Sequence, residues 1–360
     1  MESRLKAAVI GCGRMGAFTS DVMRAHAPAC WFPLSHADAI VAHPALTLAA
    51  FADSDVVAAR RAAAAFGIGA FFDDPDRLLA DIRPDIVTLA TRTVGRADLI
   101  QRCIHGAVRA LHVEKPLCNS MAEWHALHES LSSDAAFVTY GALRRHLPVY
   151  RAALTLAQSG EFGELREVRV QFGAGSLFWT QTHAIDLLLF AAAGRRLVGV
   201  QALLDGAVPG RHAHELENDP VVVSATLLFE GGLTGVVTRA LGSDFVLGCV
   251  QAEIAVRGDG GVAELLRCRE GAIYPTVEPL SLQLPDGGGG TLAPLSQLVD
   301  CLQGVPGAAT ANRALRADML QGQRVAFAMF QSHVEGSRLL APEAVADDIV
   351  IHARAGGRHA

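Results

Sequence analysis

Three glycines stand at positions 11, 13 and 16 of the stretch AAVIGCGRMGAF, residues 7–18. This is the G-x-G-x-x-G spacing of a turn that receives a dinucleotide pyrophosphate. In such a turn the first glycine permits the reversal, the second lets backbone approach the phosphates, and the third lets a helix pack on a strand. The amides that open the helix favour the anion. Asp53 ends the next apolar run, LTLAAFAD, where a carboxylate can accept hydrogen bonds from ribose hydroxyls. Lys115 lies in ALHVEKPLC, residues 110–118. An ammonium leaving a strand there can donate to a carbonyl or alkoxide oxygen and stabilise charge during hydride transfer, and Pro116 restricts the turn that aims it. In WTQTHAIDLLLF, Thr182 reads as an N-cap, so that His183 falls in the first helical turn with Asp186 on the same face. A helix N-terminus favours a neutral imidazole, suited to moving a proton to or from a hydroxyl. Asp186 reads as its buried orienting partner.

These residues need elements to hold them. Short β-rich runs alternate with helical segments up to about Arg145: AAVIG, a helix from Met15, LTLAAFAD, VVAARRAAAAFG, DIVTLAT, ADLIQRCIHGA, ALHVEKP and AAFVTYGA. That alternation predicts βαβ units around a parallel sheet. Asp53 follows Gly16 at more than the usual spacing, and residues 27–46 read as an insertion that lengthens the first crossover. Beyond Pro148 the runs LREVRVQFGAG, LVGVQALLDG, PVVVSATLLFE, LTGVVTRALG and VQAEIAVRGDGG predict a second, largely antiparallel sheet. A helix over RALRADMLQGQRVAFAMFQSHVEG follows, PDGGGG at 285–290 reads as a loop, and the last residues read as a frayed end.

Composition narrows the function. A chain of 360 residues that is 51% apolar can bury two cores. A net charge of -6 with interspersed signs offers no phosphate-backbone footprint, so nucleic acid is not an expected partner. The seven cysteines include no C-x-x-C pair and predict neither a disulfide framework nor a zinc knuckle. No apolar run is long enough to span a bilayer or serve as a signal-peptide core, which predicts a cytoplasmic protein with no membrane partner. His212, His214, Glu215 and Glu217 in GRHAHELEND could be arranged as ligands, but polar surface loops share this composition, and no metal is expected.

The ordered set of the glycine fingerprint, Asp53, ATRT at 90–93, E-K-P at 114–116, SGEFGELREV, THAIDLLLF and QSHVEGSRLLAP resembles the Gfo/Idh/MocA family of NAD(P)-dependent oxidoreductases, nearly end to end. The resemblance implies an α/β protein with an N-terminal Rossmann dinucleotide-binding domain over 1–146. A C-terminal α/β domain with a largely antiparallel open sheet follows over 147–346, binding substrate and forming a homodimer or homotetramer, and 347–360 is left as a tail. It also implies NAD as cofactor, with NADP open, held by Gly11, Gly13, Arg14, Met15, Gly16, Asp53, Thr91, Glu114 and Lys115. Lys115 matches the family's catalytic lysine, often before a cis proline, and His183 its H-x-x-D histidine.

Departures from the family bear on substrate. Trp179 stands where many members carry an aspartate, and its indole suits covering a sugar ring or an aromatic group. Where T-P-N is common, the chain has Thr91, Arg92 and Thr93, then Arg96; Arg92, Arg96 and Arg145 could bind an anionic group. With Thr182, these form the expected substrate set. The expected substrate is a sugar, activated sugar or cyclitol, oxidised or reduced at a hydroxyl or keto carbon. Reduction of a C=N or polyene bond, and cofactor sensing without catalysis, are the alternatives.

Overall fold

The computed structural model describes residues 4–268, 273–284 and 289–352. Part of the predicted 285–290 loop, residues 285–288, and the predicted tail from 353 onward lie outside the described residues. In chain order the elements open with β1 (Leu5–Ile10), α1 (Asp21–His26), α2 (His36–Ala42), β2 (Leu46–Ala52), α3 (Val56–Ala65), β3 (Phe71–Phe72) and α4 (Pro75–Ile82). Then come β4 (Ile86–Leu89), α5 (Arg96–His105), β5 (Ala110–Val113), α6 (Met121–Ser132) and β6 (Phe137–Tyr140). The chain continues through α7 (Pro148–Gln158), β7 (Leu165–Gln171), α8 (Thr182–Ala192), β8 (Leu197–Asp205), β9 (Glu215–Leu216), β10 (Val221–Phe229) and β11 (Thr234–Thr238). It closes with β12 (Asp244–Cys249), β13 (Ala252–Arg257), β14 (Val262–Arg267), β15 (Thr276–Leu280), α9 (Leu292–Leu302), α10 (Ala308–Val334) and β16 (Val350–Ile351).

The chain divides into two compact units, and among the described residues the first comprises 4–143 with 289–320. Its sheet is wholly parallel, in the order β3-β2-β1-β4-β5-β6. Every residue of β4 and β5 is buried, as strands covered on both faces require. Local chemistry starts the helices. Asp55 caps α3, Asp74 caps α4 with Pro75 in its first turn, and Ser120 caps α6. Glu123 returns a bond to the Asn119 amide at 2.7 Å, close to a capping box. The first crossover departs from expectation. Gly13 to Ala17 make a single turn instead of a helix from Met15, with the Ala17 amide on Gly13 O at 2.9 Å. The chain then makes an excursion before α2 resumes against the same turn, the His36 amide donating to Met15 O at 2.7 Å and the Ala37 amide to Gly16 O at 2.9 Å. The extra chain therefore interrupts the crossover helix over residues 18–35, earlier than 27–46, and most of α2 is the crossover itself.

The second unit comprises, among the described residues, 144–268, 273–284 and 321–352. Its eight-stranded sheet runs β15-β14-β13-β12-β7-β11-β10-β8, antiparallel at every neighbour except β7 and β11. The α7 and α8 helices pack on it, α8 against β7 and β11 and α7 against β12 and β13. Period-two alternation follows: Val168 and Val170 are buried, while Glu167 and Arg169, alternating with them, are half exposed.

Candidate functional site

At the fingerprint turn the three glycines do different work. Gly11 has φ +97°, and a Cβ there would lie 2.7 Å from the Ala90 carbonyl carbon. A Cβ on Gly16 would collide with the Gly11 carbonyl oxygen, whereas one on Gly13 would meet nothing within 4 Å. The open position is the one where backbone must admit a phosphate, so the turn fits a dinucleotide. Arg14 beside it is exposed and Met15 is half-buried. Asp53 is tied to the turn, its Oδ2 accepting the Cys12 amide at 2.7 Å and its Oδ1 the Asp55 amide at 3.0 Å. Each carboxylate oxygen keeps a further lone pair for a ribose hydroxyl. Burial, with Asp53 adding to it, pushes the Cys12 thiol up to about 12 and leaves it unreactive.

The E-K-P loop leaves β5 at the same end of the sheet. Lys115 and Glu114 are 7% and 5% exposed, and the Lys115–Pro116 bond is cis. Only two of the 31 basic residues are lysines, Lys6 and Lys115. Glu114 Oε1 lies 3.3 Å from Nε2 of His36, and Oε2 accepts the Lys115 amide at 3.3 Å. A Cβ on Gly141 would come within 2.8 Å of that carboxylate, so glycine makes its room. Burial pushes the Glu114 carboxyl up, but the His36 hydrogen bond and the charges of His36, Lys115 and His112 outweigh it and hold the group at about 2.

Arg96 is a correction. Read as an anion-binding side chain, it is 3% exposed and spends its guanidinium on the backbone. Nη1 donates to Glu114 O at 2.8 Å and to Pro116 O, and Nη2 donates to Thr91 O. Burial lowers its pKa to about 10 against the pull of Glu114, Tyr140 and Cys118. It clips the ends of β4 and β5 together around Lys115. Thr91 is half-buried and Arg92 exposed beside it.

In the second unit His183 lies in the first turn of α8, half-buried. Thr182 is not the cap: Gln181 occupies that position without a side-chain capping bond, and Thr182 is the first helical residue, its Oγ1 3.5 Å from Trp179 O. Asp186 is 5% exposed and takes Arg145 Nε at 2.8 Å, with Arg145 Nη2 on the Asp186 carbonyl at 3.2 Å. The guanidinium also stacks 5.0 Å from the Phe190 ring. Arg145 is thus an internal brace of this unit and not a substrate arginine, and its partner is the aspartate assigned to His183. Trp179 is half-buried, and Asp219 accepts its amide at 3.0 Å and that of Phe178 at 2.8 Å. His214 pairs with Asp348 at 2.6 Å, while Glu215 and Glu217 gather at the surface with His352.

Sequence reasoning missed His36, Gly141, Asp219 and the role of Arg96. The excursion separates His36 from the fingerprint, and Gly141 is legible only once Glu114 lies against it.

Residues 5–142 match the family model described as the oxidoreductase family with NAD-binding Rossmann fold, Gfo/Idh/MocA. A curated relative, the NAD(+)-dependent scyllo-inositol 2-dehydrogenase of Bacillus subtilis (strain 168), is 28% identical over 165 residues, 46% of this chain. The match spans less than half, 43%, of that relative's length. Among solved structures, an inositol dehydrogenase homolog from Azotobacter vinelandii with NADH and myo-inositol aligns at TM-score 0.72 and 16% identity, over 94% of this chain and 98% of that one. The aldose-aldose oxidoreductase of Caulobacter crescentus, complexed with glycerol, aligns at TM-score 0.71 and 17% identity, over 94% and 99%. Both share the fold. The fingerprint turn, Asp53 and the E-K-P loop all lie inside the residues that match the NAD-binding Rossmann model of the Gfo/Idh/MocA oxidoreductase family.

Proposed function

We propose that the protein is an NAD-dependent oxidoreductase acting at a hydroxyl or keto carbon of a sugar, activated sugar or cyclitol. The observation that carries this reading is the E-K-P loop. The chain's one buried lysine stands there with its backbone amide on an ionised carboxylate and its loop inside an arginine clip, next to a turn shaped for a dinucleotide. The polyol and sugar substrates follow the activities named for the relatives, a scyllo-inositol dehydrogenase and an aldose-aldose oxidoreductase.

NAD, when bound, supplies or accepts the hydride. Gly11, Gly13, Arg14, Met15 and Gly16 would hold its pyrophosphate and Asp53 its adenine ribose, with Thr91 and Glu114 at the nicotinamide end. Lys115 donates a hydrogen bond to the reacting oxygen and stabilises negative charge as it develops there. His183 takes the hydroxyl proton in oxidation and returns it in reduction. Trp179 and Arg92 contribute to substrate recognition, and the open face of the second sheet carries a homodimer or homotetramer.

The test is an assay following NADH and NADPH absorbance against scyllo-inositol, myo-inositol, aldoses, nucleotide sugars and cyclic imines. A polyol or sugar should turn over. NADH should bind more tightly than NADPH in calorimetry, because Asp53 accepts a ribose diol and repels a 2′-phosphate. Turnover of imines alone would overturn the substrate class, and tighter NADPH binding would overturn the cofactor assignment.

A further inference from the structure

One feature of the E-K-P loop goes unused in that reaction. His36, the first residue of α2, is 0% exposed and aims Nε2 at Glu114 Oε1. Its other ring nitrogen, Nδ1, is buried with no hydrogen-bond partner among the described residues. The imidazole therefore spends its side-chain hydrogen bonding on one carboxylate, and because an ionised carboxylate only accepts, Nε2 is the donor. The other oxygen of that carboxylate holds the backbone amide of Lys115, and Gly141 leaves the space for it.

We propose that His36 is a positioning residue for Lys115, keeping the Glu114 carboxylate ionised and oriented so that the lysine is presented from a fixed place against a fixed negative charge. The inference rests on the reading of Lys115 as the group that meets the reacting oxygen. The groups facing Glu114 are His36 from α2, His112 of β5, Arg96 of α5 and Lys115 itself, with Tyr140 of β6 and Cys118 beside Arg96. The ring of His112 meets His36 edge-on at 4.8 Å and bonds Thr139 Oγ1 at 3.1 Å. Among these, the strongest force opposing burial of the carboxylate is the His36 hydrogen bond. Without it, desolvation should carry the carboxyl up into the working pH range. His36, His112 and Glu114 are also metal-ligating types that converge. A divalent ion there would set two more positive charges beside Lys115 and Arg96 with one carboxylate to offset them, and the proton-donor role fits the charge balance better.

The shortage of lysine supplies a direct probe. Lys6 is exposed, so Lys6→Arg leaves Lys115 as the only lysine of the chain. Lysine labelled with carbon-13 at Cε then gives one resonance, followed by NMR between pH 4.5 and 7. In His36→Leu that resonance should show a titration step that Glu114→Gln abolishes, at least about two pH units above the parent's carboxyl. The parent should lack the step, and His36→Gln, whose amide can donate, should remove it again. NADH affinity by fluorescence titration should stay within about twofold in the His36 variants. If a folded His36→Leu shows no Glu114-dependent step, His36 only fills space and the proposal falls. It also falls if the purified protein carries a stoichiometric divalent metal. Should His36→Leu fail to fold, His36→Phe, which keeps a ring against His112 and lacks the donor, carries the same expectation. Retained turnover in Lys115→Met would instead sink the catalytic reading while leaving the titration result standing.

Discussion

At the scale of single residues, the economy of lysine is informative. Twenty-nine of the 31 basic residues are arginine, which serves as well or better wherever a permanent charge or a fork of donors is needed. Arg96 shows that use, binding three carbonyls at once. An ammonium at 115 offers what guanidinium does not: a compact charge whose proton can be shared with an oxygen. Methionine matches its length without the charge. Lys115→Met should therefore leave the NADH dissociation constant within about twofold and lower kcat by roughly a hundredfold or more, the range of a lost charge-stabilising donor. Stopped-flow single turnover with the substrate from the panel reads the chemical step, and a kcat within about threefold of the parent would remove Lys115 from catalysis.

At the scale of elements, the parallel sheet must end somewhere, and β6 is its outer strand beyond β5. An unprotected edge exposes backbone donors and acceptors. Here α10 supplies a substitute strand in one side chain. Asn312, 0% exposed, accepts the Val138 amide at Oδ1 over 3.1 Å and donates Nδ2 to the Val138 carbonyl over 2.9 Å. Arg316, one turn on, donates to the Ser133 and Ala136 carbonyls at 2.6 and 3.2 Å. Asn312→Leu keeps the volume but strands two buried backbone groups, each costing about 1–3 kcal/mol. Urea denaturation should show a loss of roughly 2–5 kcal/mol with the m-value unchanged. A loss below about 0.5 kcal/mol would mean that water or a neighbour satisfies the edge as well.

At the scale of the whole molecule, the chain makes two units, and no helix among the described residues is long and apolar enough to cross a membrane. Its acid stability should carry the mark of one histidine. His146 has Nε2 buried without a hydrogen-bond partner among the described residues. Burial, then the charges of Arg145 and Arg151, lowers its pKa from 6.5 to about 3. Between those values the unfolded chain holds a proton that the folded one does not, so stability falls as pH drops from 6.5 toward 3, by at most about 1.4 kcal/mol per pH unit. Glu114, held at about 2 against 4.5, acts in the same direction but only below its ordinary value, losing its contribution as pH falls from 4.5 toward 2. Chemical denaturation at pH 7, 6 and 5 should thus show a slope that His146→Leu flattens. Parallel slopes in the two proteins would assign the acid sensitivity to other groups.

Much of this was legible in the residues alone. The fingerprint glycines are local: their need for positive φ, open backbone and close packing is met within one turn, and their spacing records it. The parallel and antiparallel sheets were readable from hydrophobic period, because a strand covered on both faces must be apolar throughout and one covered on a single face must alternate. What only the tertiary structure decided is which side chains meet across long separations. Arg96 and Arg145 look like anion binders in sequence, since a guanidinium's fork suits a ligand and a protein carbonyl or carboxylate equally. Folding places carbonyls around the first and Asp186 against the second. The excursion hides His36 from the fingerprint in sequence and returns it beside Glu114 in space. Asn312 reaches β6 from 174 residues away. Local spacing encodes what one turn of backbone demands, whereas pairing of buried polar groups depends on where distant elements pack, and that is settled only when the chain closes on itself.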